Sequence, residues 1–290
     1  MTRIAPLPWL LMLIACSGDG KSEDSGTDTA SGNGQQANDG TDPDDPDDAV
    51  ETEDVDVDAE ALFDITGGPY DLAAHPDGRI FCSVAESRLV VWDPEVEWVE
   101  EVSDRLGSLF GIELDGDAVY FTTSTHRQSG SLSRLVDGEV EVLATHAGST
   151  AFREPTDLAK APDGTWVLAD NTLQTLVGVS EDGSAWLIGT PGAVSTLAFQ
   201  GDTLFFGGEE GTFAMSWPDG VSVQVDARSA NGLHAWDGKM WASNSGSRIY
   251  EVGGTLSIPV PDVRVPGRMG GDETLYLADW GLADVWAIEP

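Results

Sequence analysis

The chain has 290 residues, of which 40% are hydrophobic, so it can bury a sizeable core in one large β domain or two smaller ones. It carries 51 acidic and 14 basic residues, a formal net charge of -37, which leaves no basic surface to neutralise the phosphates of a nucleic acid. This charge also repels anionic substrates at long range, and it is equally typical of a protein adapted to a saline habitat.

The chain begins with MTRIAPLPWLLMLIAC, in which one positive charge at Arg3 precedes an apolar run. The run is too short to cross a membrane as a stable helix, so it predicts a signal peptide over residues 1–15. The ending LIAC resembles the lipobox of bacterial lipoproteins, which implies lipid attachment at Cys16. The chain would then be exported and lipid-anchored to the cell envelope, and Ser17 favours the outer membrane. The alternative is an ordinary secretory signal with a coincidental cysteine.

Residues 16–58 form an acidic segment without aromatic residues, in which Val is the only branched apolar type. Such a composition cannot offset the entropy of ordering, so we expect a disordered linker behind the lipidated cysteine. Acidic residues at alternate positions from Asp54 to Glu60 resemble those of a calcium-binding loop. A calcium loop, however, needs Gly and Glu where this chain has Ala59 and Ile65.

Residues 59–290 contain six copies of one pattern: a short apolar strand, a turn with Asp or Gly, and an alternating apolar strand. Two further strands follow in each of the first five copies, and four strands at a period of about 40 residues predict a six-bladed, all-β propeller. Because the last copy lacks a fourth strand, we expect residues 60–66 to supply the outer strand and close the ring. Equivalent positions in the six copies are Leu72, Ile112, Leu158, Leu197, Leu233 and Arg268.

The stretches PTDLAKAPDGTWVLADN, NGLHAWDGKMWASNSGSRIYEV and GGPYDLAAHPDGRIFCSVAESRLVVW resemble repeats of the NHL and gluconolactonase (regucalcin-like) group of six-bladed propellers. The gluconolactonase branch hydrolyses sugar lactones with a divalent metal, so the resemblance implies such a metal at the mouth of the central channel. Of the four ligand positions, only Asn231 matches. Gly67, Thr156 and the pair Pro266-Gly267 stand at the other three. We therefore expect no metal cofactor, and a metal belongs only to the lactonase alternative.

Polar and aromatic side chains at the strand ends are expected to gather around the channel mouth as a ligand-binding surface. For the Asp and Asn residues the alternative is that they close turns by hydrogen bonding to the backbone. The four His lack metal-ligand spacing and are interpreted as loop or strand-end residues. No residue is predicted to be catalytic. The predicted surface comprises Tyr70, Phe110, Thr156, Asp157, Asp170, Asn231, Asn244, Arg268, Asp279 and Trp280.

The sequence thus predicts a non-catalytic binding or scaffolding module, monomeric and displayed on a lipid anchor, whose partner is a protein, a peptide or a glycan. One alternative is a divergent metal-dependent hydrolase of the lactonase type, which would use Asn231 with acids such as Asp157 or Asp170. A third possibility is a structural envelope component without a small ligand. Periplasmic and surface display both stay open.

Overall fold

Short strands of alternating apolar residues, separated by turns that carry Asp or Gly, make up the regular structure of the protein. The computed structural model describes residues 52–84, 88–96, 98–103, 107–125, 127–190, 192–260 and 262–289. The predicted signal peptide (residues 1–15), Cys16 and residues 17–51 of the predicted linker lie outside these ranges. In the described residues all regular elements are strands, and no helix there is long and apolar enough to cross a membrane.

Six antiparallel sheets follow one another along the chain, and we number these blades I to VI. Blade I contains β3 (Pro69–Ala74), β4 (Ile80–Val84), β5 (Arg88–Asp93) and β6 (Trp98–Ser103). Blade II contains β7 (Ser108–Asp115), β8 (Ala118–Thr125), β9 (Ser129–Val136) and β10 (Glu139–Ala144). A small hairpin follows, with β11 (His146–Ala147) and β12 (Thr150–Ala151). Blade III contains β13 (Pro155–Lys160), β14 (Trp166–Asp170), β15 (Thr175–Val179) and β16 (Ala185–Ile188).

The second half of the ring repeats this arrangement. Blade IV contains β17 (Thr196–Gln200), β18 (Thr203–Gly208), β19 (Gly211–Ser216) and β20 (Val223–Asp226). Blade V contains β21 (Gly232–Trp236), β22 (Lys239–Ser243), β23 (Arg248–Glu251) and β24 (Leu256–Pro259). Blade VI contains β25 (Pro266–Gly270), β26 (Leu275–Asp279) and β27 (Asp284–Glu289). The first strands of neighbouring blades contact one another in a closed circuit, β3, β7, β13, β17, β21, β25 and back to β3. The predicted all-β, six-bladed propeller is therefore confirmed.

Two N-terminal strands complete the ring. β2 (Asp58–Asp64) pairs antiparallel with β27 and becomes the outer strand of blade VI, which confirms that an N-terminal strand closes the propeller. β1 (Glu53–Asp54) lies parallel to β24 at the outer edge of blade V, inside the segment that the sequence predicted as linker. Arg248 forms an ion pair with Asp54 there. One stretch of chain therefore joins blades V and VI at the seam of the ring.

The hydrophobic core lies between the faces of adjacent blades. Leu158 of blade III, for example, packs in one cluster with Tyr120 and Leu132 of blade II, and Tyr120 stacks on Trp166 with ring centres 4.1 Å apart. The Asp-Gly pairs close the hairpins between first and second strands. Gly164 has φ +88°, and the Asp163 carboxylate accepts the Thr165 backbone N–H at 2.9 Å.

Strand pairing fixes which residues share a level in the channel. Leu158 lies opposite Leu168 in blade III, whereas Met269, not Arg268, lies opposite Leu277 in blade VI. The predicted equivalence of Arg268 with Leu158 is thus wrong by one residue: Pro266 lies opposite Asp279 as Pro155 lies opposite Asp170, and the bulge that follows each Pro makes Arg268 the counterpart of Asp157. We call the six residues before the equivalent apolar positions the upper ring: Asp71, Gly111, Asp157, Thr196, Gly232 and Arg268. The residues two further along form the lower ring: Ala73, Glu113, Ala159, Ala198, His234 and Gly270.

Candidate functional site

Arg268 crosses the channel from blade VI to blade III, which lies opposite it in the ring. Its guanidinium donates to the Asp157 carboxylate at 2.5 Å, to the Ser195 carbonyl at 2.5 Å and to the Thr156 carbonyl at 3.2 Å. The side chain is only 2% exposed, and its Nε has no hydrogen-bond acceptor among the described residues. Arg268 therefore spans the channel at the upper ring, with its Nε buried and without a partner among the described residues.

Two buried carboxylates share the upper ring with Arg268. Asp157 accepts hydrogen bonds from the backbone of Leu158 and Leu197 and from the Thr196 hydroxyl, at 2.8 to 2.9 Å. Burial raises the pKa of Asp157, although the charge of Arg268 opposes this. Asp71 occupies the same position in blade I and accepts the backbone N–H groups of Leu72 and Ile112 at 2.8 and 2.9 Å. Burial and then the charge of Asp157 hold the pKa of Asp71 well above its usual value.

The lower ring surrounds a cavity of about 510 Å³, which Arg268, Asp71 and Asp157 bound at the upper ring. Four of the six lower-ring residues are Ala or Gly, so most of the ring contributes no side chain that could fill the channel. A larger residue at Gly270 would be crowded, since an added Cβ would lie 2.8 Å from the Leu72 side chain and 3.0 Å from the Leu72 carbonyl oxygen. This composition leaves space in the channel at the lower ring, where only Glu113 and His234 contribute a functional group.

Glu113 and His234 are partly buried, and burial shifts the pKa of each in the direction that favours its uncharged form. Burial raises the pKa of Glu113 to about 7, and the neighbouring charges of Asp157, Asp272 and Asp115 act in the same direction. Burial lowers the pKa of His234, although a hydrogen bond to the Gly271 carbonyl oxygen and the charge of Asp272 oppose this. At neutral pH the site therefore holds a carboxyl group near half-protonation and an uncharged imidazole.

Three of the predicted ligand-binding residues form an aromatic cluster beside Arg268. Tyr70 stacks on Trp280 with ring centres 5.4 Å apart and meets Phe110 edge-on at 4.9 Å. The Trp280 indole N–H donates to the Tyr70 backbone carbonyl at 2.9 Å, and the Arg268 guanidinium carbon lies 6.0 Å from the Tyr70 ring centre. Burial raises the pKa of the Tyr70 phenol. The structure thus brings Tyr70, Phe110, Trp280 and Arg268 together.

The acidic strand-end residues do not join that cluster. Asp170 is fully buried, and its carboxylate accepts the backbone N–H groups of Arg153, Glu154 and Leu173 at 2.7 to 3.0 Å. Asp279 is also fully buried and accepts from the backbone at Arg264, Val265 and Gly281. The Asn244 side chain accepts the Gly246 N–H at 2.9 Å. These contacts are those of turn closure, the alternative interpretation of these residues.

The four positions at which the resemblance implies metal ligands do not fit a divalent cation. Gly67 and Gly267 have no side-chain donor, and the Thr156 hydroxyl donates to the carbonyls of Ala169 and Ser195 at 3.3 and 2.9 Å. Asn231 donates its amide to the Pro266 carbonyl at 3.3 Å. Among the described residues no three His, Cys, Asp or Glu side chains converge as metal ligands.

Sequence reasoning missed Asp71, Glu113 and His234. Asp71 carried a signal, since PYDLA of blade I and PTDLA of blade III place Asp71 and Asp157 at the same point of the repeat. Glu113 and His234 carried none, because each is a single polar residue in an apolar strand. Only the closed ring places them at one level of one cavity.

No protein-family model and no curated protein sequence matches the chain. Solved structures do match it. A protein assigned as a gluconolactonase has a TM-score of 0.68 at 19% identity, covering 82% of this chain and 94% of its own. A gluconolactonase from Xanthomonas campestris has a TM-score of 0.67 at 19% identity, covering 84% and 92%. A luciferin-regenerating enzyme has a TM-score of 0.67 at 11% identity, covering 81% and 96%. At these identities the likeness concerns architecture, and the chain has the fold of the gluconolactonase-type six-bladed β-propellers.

Proposed function

We propose that the chain is a hydrolase that opens small uncharged lactones in the cavity of its central channel. The observation that carries the proposal is the cavity of about 510 Å³ in the middle of the ring, which brings the carboxyl group of Glu113 and the imidazole of His234 to one level. A carboxyl group and an imidazole that face one enclosed ligand are groups that can move protons during hydrolysis. The gluconolactonases among the fold neighbours support a lactone as the substrate class.

The size and charge of the cavity support an uncharged substrate. A volume of about 510 Å³ lies within the range of roughly 300 to 1,000 Å³ that is usual for small-molecule sites. The net charge of -37 repels anions at long range, so a neutral lactone enters more readily than an anion, and the carboxylate formed from it is repelled. The cavity lining contains four carboxyl groups beside the basic Lys160 and Arg268. The carboxyl groups of this lining belong to Asp71, Glu113, Asp157 and Asp272.

A lactone panel tests this proposal with the purified full-length chain. Uncharged five- and six-membered sugar lactones, glucono-δ-lactone among them, are assayed for proton release with and without EDTA. We expect turnover that EDTA leaves unchanged, because the donors at the implied metal positions do not fit a cation. EDTA-sensitive turnover with stoichiometric bound metal would instead support the metal-dependent alternative. If no lactone is hydrolysed, the hydrolase proposal is wrong.

A non-catalytic binding function is the second candidate, and the aromatic cluster of Tyr70, Phe110 and Trp280 favours it. Stacked and edge-on rings beside a cation are typical of surfaces that bind a protein, a peptide or a glycan. A chain that turns over no lactone in the panel but binds an immobilised glycan or peptide through these rings would fit this function.

We also propose export and lipid anchoring, which the sequence of residues 1–16 supports. The apolar run after Arg3 and the LIAC ending are the features concerned. Outer-membrane placement rests on Ser17 alone, and the linker would hold the propeller away from the membrane surface.

A further inference from the structure

The lower ring contains one carboxyl group and one imidazole, each of which makes, within the described part of the chain, a single hydrogen bond to the neighbouring backbone. Glu113 lies on β7 of blade II and His234 on β21 of blade V, and these blades are opposite each other in the ring. Both side chains line the same cavity, and the other four positions of the ring are Ala73, Ala159, Ala198 and Gly270. A molecule in the cavity therefore lies between one carboxyl group and one imidazole.

Each of the two groups retains an atom that is available to a ligand. The His234 Nε2 lies 2.6 Å from the Gly271 carbonyl oxygen, which can only accept, so Nε2 carries the hydrogen and Nδ1 keeps its lone pair. The Glu113 Oε1 accepts a long hydrogen bond of 3.4 Å from the Leu114 backbone. Neither the Nδ1 of His234 nor the Oε2 of Glu113 makes a hydrogen bond to any other described residue.

We infer that Glu113 and His234 act as a general acid and a general base on a lactone in the cavity, without a metal, an inference that rests on the proposed function. Glu113 and His234 lie at the lower ring, whereas Thr156, Asn231 and Gly267, at which the resemblance implies metal ligands, directly precede residues of the upper ring.

The step balances with water as the only co-reactant. The Nδ1 of His234 takes one proton from water, and the hydroxide oxygen bonds to the carbonyl carbon. The bond between that carbon and the ring oxygen then breaks, and Glu113 gives its proton to the leaving oxygen. The product hydroxy acid releases its carboxyl proton to solvent. Transfer of the proton on His234 to Glu113 restores both groups.

The protonation states match these roles. A carboxyl group with a pKa of about 7 still carries a proton on a large fraction of molecules at pH 6.5, as a general acid must. The lowered pKa of His234 keeps its imidazole neutral at that pH, as a general base must be. The charged and titratable groups that line the cavity around the pair are Asp71, His75, Asp157, Lys160, Arg268 and Asp272, and Asp115 adds to the field at Glu113.

Two substitutions with matched controls test the assignment in the full-length chain. We expect Glu113→Gln and His234→Asn each to lower kcat for the hydrolysed lactone by about 100-fold or more, with a smaller change in KM. The controls are Glu139→Gln on β10 and His146→Asn on β11, which are exposed and outside the cavity, and they should keep kcat within about twofold. Circular dichroism and thermal melting establish that each variant is folded.

The pH dependence separates a catalytic role from a structural one. For the wild-type chain kcat/KM should fall as pH rises through about 7, because Glu113 loses its proton, and fall again at acidic pH, as His234 gains one. Glu113→Gln should flatten the alkaline limb and His234→Asn the acidic limb. Unchanged kcat in folded variants, or limbs that persist, would overturn the assignment while leaving the hydrolase proposal intact.

If the wild-type chain hydrolyses no lactone, the proposed function is wrong. A binding measurement then tests whether Glu113 and His234 form a ligand site. The NMR signals of the His234 ring and the Glu113 carboxyl are then followed while glucono-δ-lactone is added. Shifts of both signals, with none at His146 and Glu139, would retain the pair as a ligand site. Unmoved signals would overturn the inference as well.

Discussion

Arg268 shows at the scale of one residue how a buried charge is kept in the channel. Its guanidinium is 2% exposed and pairs with Asp157, which is itself 6% exposed. A desolvated ion pair adds little net stability, but removing one partner leaves the other charge buried alone. Arg268 also donates to two backbone carbonyls, and Asp157 accepts from three further donors, so of the pair only the Arg268 Nε has no partner among the described residues.

Arg268→Met should therefore destabilise the propeller by about 3 to 5 kcal/mol, as breaking a buried pair commonly does. The double variant Arg268→Met/Asp157→Asn should recover more than half of this loss, since no ionised group is then left without its partner. Urea unfolding followed by tryptophan fluorescence measures both values. A single variant as stable as the wild type would show that Arg268 does not hold the upper ring together.

At the scale of elements, the seam strand β2 determines whether blade VI has an open edge. Its pairing with β27 runs from Asp58 opposite Glu289 to Asp64 opposite Asp284. Phe63 stacks on Trp92 of blade I with ring centres 5.2 Å apart, so the strand also packs against the next blade. An unpaired β27 would present free backbone donors and acceptors to other chains.

Deletion of residues 59–66 should give an unstable, aggregating product, because blade VI loses its outer strand. Size-exclusion chromatography and thermal melting measure the effect. The matched control removes a segment of equal length from the predicted linker, residues 35–42, and should leave the melting temperature unchanged. A deletion mutant that melts like the wild type as a monomer would refute this account of the seam.

The elements were predictable because their signals are local. Alternating apolar residues recur in every blade, with Asp-Gly between the first two strands of four blades and Gly-Asp in the other two, and both signals span only a few residues. The register of blade VI has a weaker local signal, because PGRMG lacks the Asp and Leu of PTDLA and only the shared Pro marks the counterpart of Pro155. Likewise β1 pairs through only two residues, too few to leave a pattern. Glu113 and His234 come to the same level of the cavity only because the whole ring closes. No residue spacing in the sequence indicates this.

At the scale of the whole molecule, charge repulsion opposes the compact state. The sequence has a formal net charge of -37, and few of the carboxylates have a basic partner, since only 14 residues are Lys or Arg. A net charge so far from zero keeps a protein soluble but destabilises its folded form through self-repulsion. Salt screens this repulsion between exposed groups.

Raising NaCl from about 0.02 M to about 0.5 M at pH 8 should therefore raise the melting temperature by about 3 °C or more, the shift that about 1 kcal/mol gives in a domain of this size. Differential scanning calorimetry measures the change. The same increase in salt at pH 4.5 should have a smaller effect, because many carboxylates are then protonated. A melting temperature that falls with salt at pH 8 would show that ion pairs outweigh repulsion.

The two N-terminal strands also set the order in which the ring would yield under mechanical load. A pull on the N-terminus reaches β1 first, which pairs with β24 through two residues and the Arg248–Asp54 ion pair. Only after β1 has detached does the force reach β2, whose longer ladder with β27 closes the propeller. β1 would thus detach from blade V under a small force, before the closing strand β2 bears any load. A chain fixed at its N-terminus to a moving surface could then lose blade V's extra strand without opening the ring.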